Sequence, residues 1–301
     1  MSRHILLTGG TGFIGRILCR ELLANGDRIT VLSRQSAADV RALCGRVEAL
    51  PELAKLEDHK GFDAIINLAG EGIAEKRWSE TRKQEIRDSR IELTQQLADV
   101  IKTWQQSPQV LVSGSAVGFY GTQGDCEVTE ATPPHNEFTH RLCSDWEQAA
   151  MQLAALGVRV CLSRTGIVVG ANGGFLQRMI LPFKLGLGGK LGSGEQYMPW
   201  VHRQDVVEAL LWMLNTETAS GAYNVVSPSP VTNATFTKTL GSVLHRPTIL
   251  PAPAMALKLA LGEMSGLLLT GQRAIPARLQ AEGFEFRFTD LESALRDAIA
   301  N

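Results

Sequence analysis

Hydrophobic positions in the first half of the chain alternate between two patterns. Short unbroken runs such as Ile5-Leu6-Leu7, Arg28-Ile29-Thr30-Val31-Leu32, Ala64-Ile65-Ile66-Asn67-Leu68-Ala69, Val110-Leu111-Val112-Ser113 and residues 158–164 read as strands. Between them lie longer stretches with apolar residues at helical spacing. Ile17, Leu18, Leu22 and Leu23 predict a helix that Asn25-Gly26 stops, residues 79–104 predict one long charged helix, and residues 137–156 predict another. Strand and helix in alternation predict an α/β fold with a parallel sheet. The pattern loosens near Gly170, where glycine and proline become frequent, and returns as a helix over 205–214 and a strand over 222–226. A small α-rich module follows from Pro228, closed by a helix whose Leu291, Leu295 and Ile299 share one face. The expected organisation is a domain over 1–168, completed by about 203–226, with a smaller lobe from 169–202 and 227–301.

The first strand runs directly into Thr8-Gly9-Gly10-Thr11-Gly12-Phe13-Ile14-Gly15, in which Gly10, Gly12 and Gly15 satisfy G-x-G-x-x-G. Such glycines permit a tight strand-to-helix turn, close approach of backbone to a pyrophosphate, and close helix-on-strand packing. Gly9, Thr11, Gly12, Phe13, Ile14 and Gly15 are therefore assigned to cofactor binding. In a doubly wound sheet the ligand lies at the carboxyl ends of the strands. That rule adds Leu68, Ala69, Gly70, Ser113 and Arg164. The second strand ends in Ser33-Arg34, where an NAD-preferring chain carries a carboxylate for the ribose 2′-OH. A hydroxyl and a guanidinium suit a 2′-phosphate instead, so the expected cofactor is NADP(H), with Arg16 as a second anion contact. The alternative is that Arg34 is a solvated loop residue.

Composition narrows the classes further. Thirty basic residues stand against 31 acidic ones, which gives no basic excess for nucleic acid or an anionic membrane. Lys76-Arg77, Arg82-Lys83 and Arg87 to Arg90 cluster, but Glu75, Glu80, Glu85 and Asp88 interleave with them, as on a solvated helix face. The five cysteines are scattered without C-x-x-C, which suits a reducing compartment. No run approaches the length of a membrane span and no leader pattern opens the sequence, so a cytoplasmic location is expected. His4, His59, His135, His140, His202 and His245 have no metal-ligand spacing, and no G-x-S-x-G elbow is present.

Residues 8–15, Asn67-Leu68-Ala69-Gly70, residues 113–121, Arg164-Thr165-Gly166, residues 200–206 and Tyr223-Asn224-Val225 occur in the order seen in extended short-chain dehydrogenase/reductases, and the resemblance covers nearly the whole chain. Glu71, Lys76-Arg77-Trp78, Pro133-Pro134-His135-Asn136, Trp146-Glu147 and His245-Arg246-Pro247 resemble the atypical sugar-nucleotide epimerase-like branch. The resemblance implies a Rossmann-type doubly wound parallel sheet, bound NADP(H), and a smaller C-terminal α-rich substrate lobe over the nicotinamide.

Typical members pair a tyrosine with a lysine four residues later to move a proton at the substrate. Here Tyr120, Tyr197 and Tyr223 are followed at that spacing by Gly124, Val201 and Ser227. On the helix where the pair belongs, the tyrosine slot falls on Phe138 or Thr139 and the lysine slot on Leu142 or Cys143. Arg141 is the one nearby cation that the sequence offers in place of the lysine. The candidate acid/base set is then Ser113, Ser115, Tyr120, Glu71 and His202. Each has a plainer reading: Tyr120 as a packed phenol, Glu71 as a cap, His202 as a hydrogen-bonded packing residue. Arg178, Lys184 and Lys190 are the scattered candidates for a substrate diphosphate. Two functions follow: an NADP(H)-dependent oxidoreductase or epimerase with a non-standard acid/base set and an unidentified small-molecule substrate, or an inactive NADP(H)-binding protein that reports cofactor state to a partner. Nothing in the sequence indicates an oligomer.

Overall fold

Seven parallel strands form the central sheet of the computed structural model, which describes residues 2–56 and 61–300; His59 lies outside them. The strands are β1 (His4–Thr8), β2 (Arg28–Leu32), β3 (Glu48–Leu50), β4 (Ala64–Asn67), β5 (Val110–Ala116), β6 (Arg159–Thr165) and β7 (Gly221–Val225). Their spatial order is β3-β2-β1-β4-β5-β6-β7, with every pairing parallel. The winding reverses between β1 and β4, so the crevice for a ligand opens beside the carboxyl ends of those two strands. Strands of such a sheet are covered on both faces, which explains their unbroken apolar runs. In β1, Ile5 and Leu7 enter one core cluster and Leu6 enters the other, as the two-residue period of a strand requires.

The helix expected over 79–104 is two helices, Glu80–Asp88 and Ile91–Ile101. A tertiary contact breaks it, without glycine or proline. Ser89 Oγ accepts the Glu71 N–H at 3.0 Å and donates to Ile86 O, and Arg90, with φ stretched to −114°, becomes the N-cap of the second helix. The break turns Arg90 inward, where it donates to Glu71 O at 2.8 Å and to Ile86 O at 3.1 Å. Arg90 is half-buried there, whereas Arg82 is buried and donates to Gly72 O and Glu85. The expected solvated face is thus corrected at Arg82 and Arg90. Backbone carbonyls and two carboxylates, Glu85 at 2.8 Å and Glu71 at 3.8 Å from Arg82, replace water around their guanidiniums, which is what makes burying them tolerable.

In the C-terminal part, the helices Gly174–Lys184, Asn233–Leu244 and Leu291–Ala300 enclose a separate cluster around Trp200 and Phe236. Leu291 and Leu295 are buried in it and Ile299 packs on its edge. The helix Arg203–Asn215 returns to the central sheet through Val206, Val207 and Leu210.

His202 caps that helix, its Nδ1 accepting the Gln204 N–H at 3.2 Å. Its ring lies 3.8 Å from that of Phe288, and Nε2 is 3.3 Å from Asp297 Oδ2. Burial outweighs the pull of Asp297 and lowers the His202 pKa from 6.5 to about 4. Asp205, on the same helix, accepts the Arg287 and Phe288 N–H groups, and burial raises its pKa from 3.8 to about 6. A histidine held neutral stabilises the fold fully above pH 6.5 and loses that contribution as pH falls towards 4, whereas a carboxyl with a raised pKa gains stability over nearly the same interval. The two effects, each on the order of 3 kcal/mol at most, oppose one another. Asp205→Asn is therefore expected to steepen the loss of stability between pH 6.5 and pH 4, measured as the urea midpoint at each pH relative to pH 7.5. A slope unchanged from the native chain would contradict this balance.

Candidate functional site

The glycine turn forms a cradle that only glycines fit. Gly9 has φ of 70°, and a Cβ there would lie 2.7 Å from the Leu68 carbonyl. A Cβ on Gly15 would lie 2.2 Å from Gly9 O. The helix Gly15–Ala24 begins on this turn, and its N-cap residue Ile14 supplies no side-chain cap. No acidic residue stands in its first turn, so its positive end is uncompensated by side chains. Next to the turn, Thr8 Oγ1 donates to Asn67 Oδ1 at 2.6 Å and accepts the Ala69 N–H, while Asn67 Nδ2 donates to Thr94. That buried chain of bonds fixes the ends of β1 and β4 against each other.

A cavity of about 490 Å³ lies over this turn. Of the cofactor residues expected from sequence, Gly9, Thr11, Gly12, Ser33, Arg34, Leu68, Ala69 and Gly70 line it. Gly15 is buried beneath the turn, and Ile14 is the helix N-cap. Phe13 packs on Gly173 and Gly174, with the Arg203 guanidinium 4.6 Å from its ring centre. Arg34 is 89 % exposed and paired with Glu71 at 3.1 Å across the cavity. Arg16 reaches the other way, to Asn172 O.

A second cavity of about 720 Å³ opens between the carboxyl ends of β5 and β6 and the C-terminal part of the chain. Trp78, Phe138, Trp146, Phe175 and Tyr197 give it an aromatic lining, and Ser115, Thr139, Cys143 and Arg90 give it polar groups. Thr139 and Cys143, one of the two pairs of slots for the missing tyrosine and lysine, thus face one chamber. Burial, reinforced by Glu147, pushes the Cys143 thiol up to about 12. Arg141 lines the cavity from an exposed position and donates to Asn136. It is not the one cation near the lysine slot, because Arg90 lies over Trp146 at 5.4 Å. Desolvation lowers the Arg90 pKa, with Cys143 and Glu71 acting against it.

Beneath this cavity runs a buried polar network. Arg164 meets Glu147 through two bonds, Nε to Oε1 at 2.8 Å and Nη2 to Oε2 at 2.9 Å. Ser115 Oγ donates to the same carboxylate at 2.6 Å. Arg164 Nη1 donates to the Tyr120 hydroxyl, which itself donates to Asn224 Oδ1. The guanidinium carbon lies 3.4 Å from the centre of the Phe119 ring. Burial raises the Tyr120 pKa to about 12 despite Arg164.

The structure therefore separates the candidate acid/base residues. Ser115 lines the larger cavity, and Glu71 lines the nucleotide-side cavity, between Arg34 and Arg82. Tyr120, Ser113 and Arg164 are buried and line neither, and His202 sits under Phe288. Arg178, offered for a diphosphate, donates to Ala74 O. Arg90 was hidden from sequence reasoning among the charges of a supposed surface helix.

Residues 5–226 match the model of the NAD dependent epimerase/dehydratase family, and residues 252–298 match a domain of unknown function (DUF1731). The chain belongs to the NAD dependent epimerase/dehydratase family, with an extended short-chain dehydrogenase/reductase-like architecture. It is 39% identical to epimerase family protein SSP1921 of Staphylococcus saprophyticus over 99% of both chains. Human epimerase family protein SDR39U1, whose crystal structure contains NADPH, superposes with a TM-score of 0.90 at 36% identity, over 99% of each chain. A nucleoside-diphosphate sugar epimerase of Corynebacterium glutamicum gives a TM-score of 0.80 at 28% identity, over 99% of this chain and 58% of that one.

Proposed function

We propose that this protein is an NADP(H)-dependent oxidoreductase whose substrate is an uncharged, largely apolar carbonyl compound. The carrying observation is the pair of cavities at the carboxyl ends of the strands: a nucleotide cradle with Ser33 and Arg34 at its edge, lined by Ser89, and an aromatic-lined chamber that the next residue, Arg90, lines. NADPH, when bound, supplies the hydride to the carbonyl carbon while solvent supplies the proton to its oxygen. Ser115 Oγ, whose own proton goes to Glu147, lines the cavity as an acceptor for the hydroxyl that forms there, and the Glu147–Arg164 pair fixes its rotamer from below. Trp78, Phe138 and Trp146 exclude water from the apolar part of the substrate. The cavity suits a diphosphate poorly. Its basic residues, Arg90 and Arg141, are engaged by backbone carbonyls and Asn136, and Glu137 and Glu263 share the lining.

The second reading, cofactor binding without chemistry, is favoured by one fact: Tyr120 and Cys143 both have raised pKa values, so neither offers a readily transferred proton. Oxidation of NADPH in the presence of aldehydes, ketones, quinones and nucleotide sugars separates the two. Turnover of a quinone or aromatic ketone that Ser115→Ala slows supports the enzyme. Absence of turnover with all of them supports the binding protein, and turnover of nucleotide sugars alone overturns the apolar substrate.

The cofactor choice makes its own prediction. The exposed Arg34–Glu71 pair is worth about 1 kcal/mol or less, so a 2′-phosphate displaces Glu71 at small cost. Arg34→Ala is expected to weaken NADPH binding by about tenfold or more and to leave NADH unchanged, in parallel calorimetric titrations. Equal loss for both cofactors would remove the 2′-phosphate contact.

A further inference from the structure

The largest apolar exposure falls on residues that line neither cavity. Leu181, Leu185, Leu187, Ile249, Leu250, Met255 and Leu259 are each between 50% and 81% exposed. They belong to two segments tied side by side. Arg246 Nε donates to Lys184 O at 2.9 Å, Ala252 N donates to Lys190 O at 2.9 Å, and Leu191 bridges to Ala252. Leu181 and Leu185 lie one helical turn apart, as do Met255 and Leu259. The helix Ala254–Leu261, AMALKLAL, buries none of its residues, although Lys258 is its one charged side chain. A helix this apolar without a buried face lacks the partner that its composition calls for.

Charge identifies the partner. Residues 148–194 and 218–262 contain no aspartate or glutamate, although acids and bases balance over the whole chain. Arg178, Lys184 and Lys190 fall in the first segment, and Lys238, Arg246 and Lys258 in the second. Of the acids that bound them, Glu263 is already paired with Lys83 at 2.7 Å. An apolar face with a basic rim matches an anionic lipid surface, in which leucines enter the acyl boundary while lysine and arginine stay at the headgroups. A second copy fits poorly, because a two-fold interface would set this acid-free surface against itself. We propose that this face docks the protein peripherally on an anionic phospholipid membrane. No helix among the described residues is long and apolar enough to cross one, so the attachment is to the surface. Overall charge balance conceals such a site, since its cations are local. Leu191, which joins the two segments through its bridge to Ala252, also lines the larger cavity, so docking brings that cavity's wall to the lipid.

The test is flotation of the full chain with phosphatidylcholine vesicles and with vesicles that also contain phosphatidylglycerol. Binding to the anionic vesicles alone, weakened by salt, is expected. Met255→Ser with Leu259→Ser, and separately Lys184→Glu with Lys258→Glu, should each reduce binding about tenfold or more, with thermal melting and NADPH affinity unchanged. None of the four positions lines either cavity, and that includes Lys184, which the sequence offered for a diphosphate. No flotation, or flotation that neither pair reduces, overturns the proposal. So does a concentration-dependent dimer that Met255→Ser with Leu259→Ser disperses in the absence of vesicle binding, which assigns the face to a second copy.

Discussion

Replacing Glu147 with alanine is expected to destabilise the protein by about 3–5 kcal/mol, the usual loss when one partner of a buried ion pair is removed. Glu147 is 6% exposed and receives both bonds of the Arg164 fork together with the Ser115 hydroxyl. Without it, Arg164 keeps the Tyr120 hydroxyl, a 3.5 Å contact to Glu130 O and the face of Phe119, none of which carries an opposing charge. Glu147→Gln keeps an acceptor for Arg164 and should lose distinctly less. Arg164→Met with Glu147→Leu removes the charges together and should recover much of the loss, because the pair's net contribution is small once desolvation is counted. Urea denaturation of the three variants provides the measurement. If Glu147→Ala melts like the native chain, the network does not hold the floor of the larger cavity.

That network also marks the limit of what sequence reasoning reaches. The strand-to-helix turn at residues 8–15 was legible because its glycines report a local backbone demand. Strands β1, β2, β4, β5 and β6 were legible because burial on two faces leaves unbroken apolar runs. β3, a three-residue strand, has no pattern of its own. Arg90 was misplaced because interleaved charges suggest water, yet Arg82, Ile86, Arg90 and Thr94 recur every four residues and form one inward stripe with Leu97. That stripe sets Arg90, half-buried, against the fold rather than in water. Helix continuity across Ser89 gave no warning, since the Glu71 N–H that breaks it comes from 18 residues away. Tyr120 and Arg164 stand close in sequence to strand ends, but only the fold shows that they bond to each other beneath the cavity. Glu71 and Ser115 likewise belong to different cavities, although sequence placed both at strand ends.

Gly15→Ala is expected to remove NADPH binding nearly completely, with Kd raised about 100-fold or more. The new Cβ would lie 2.2 Å from Gly9 O and 2.7 Å from Gly10 Cα, and both contacts are backbone, so no side-chain rotation relieves them. The helix must move off the turn by about 1 Å to restore ordinary contact, which carries its unpaired N–H groups away from the pyrophosphate position. Gly26→Ala separates this clash from general damage. Gly26 has φ of 84° and open space around it, so alanine there costs about 1 kcal/mol of stability through backbone strain alone. It should leave NADPH affinity intact, whereas Gly15→Ala should lose affinity while its far-UV circular dichroism remains native. Native affinity in Gly15→Ala would mean that the cofactor does not rest on this helix end, and the NADP(H) assignment through Ser33 and Arg34 would fall with it.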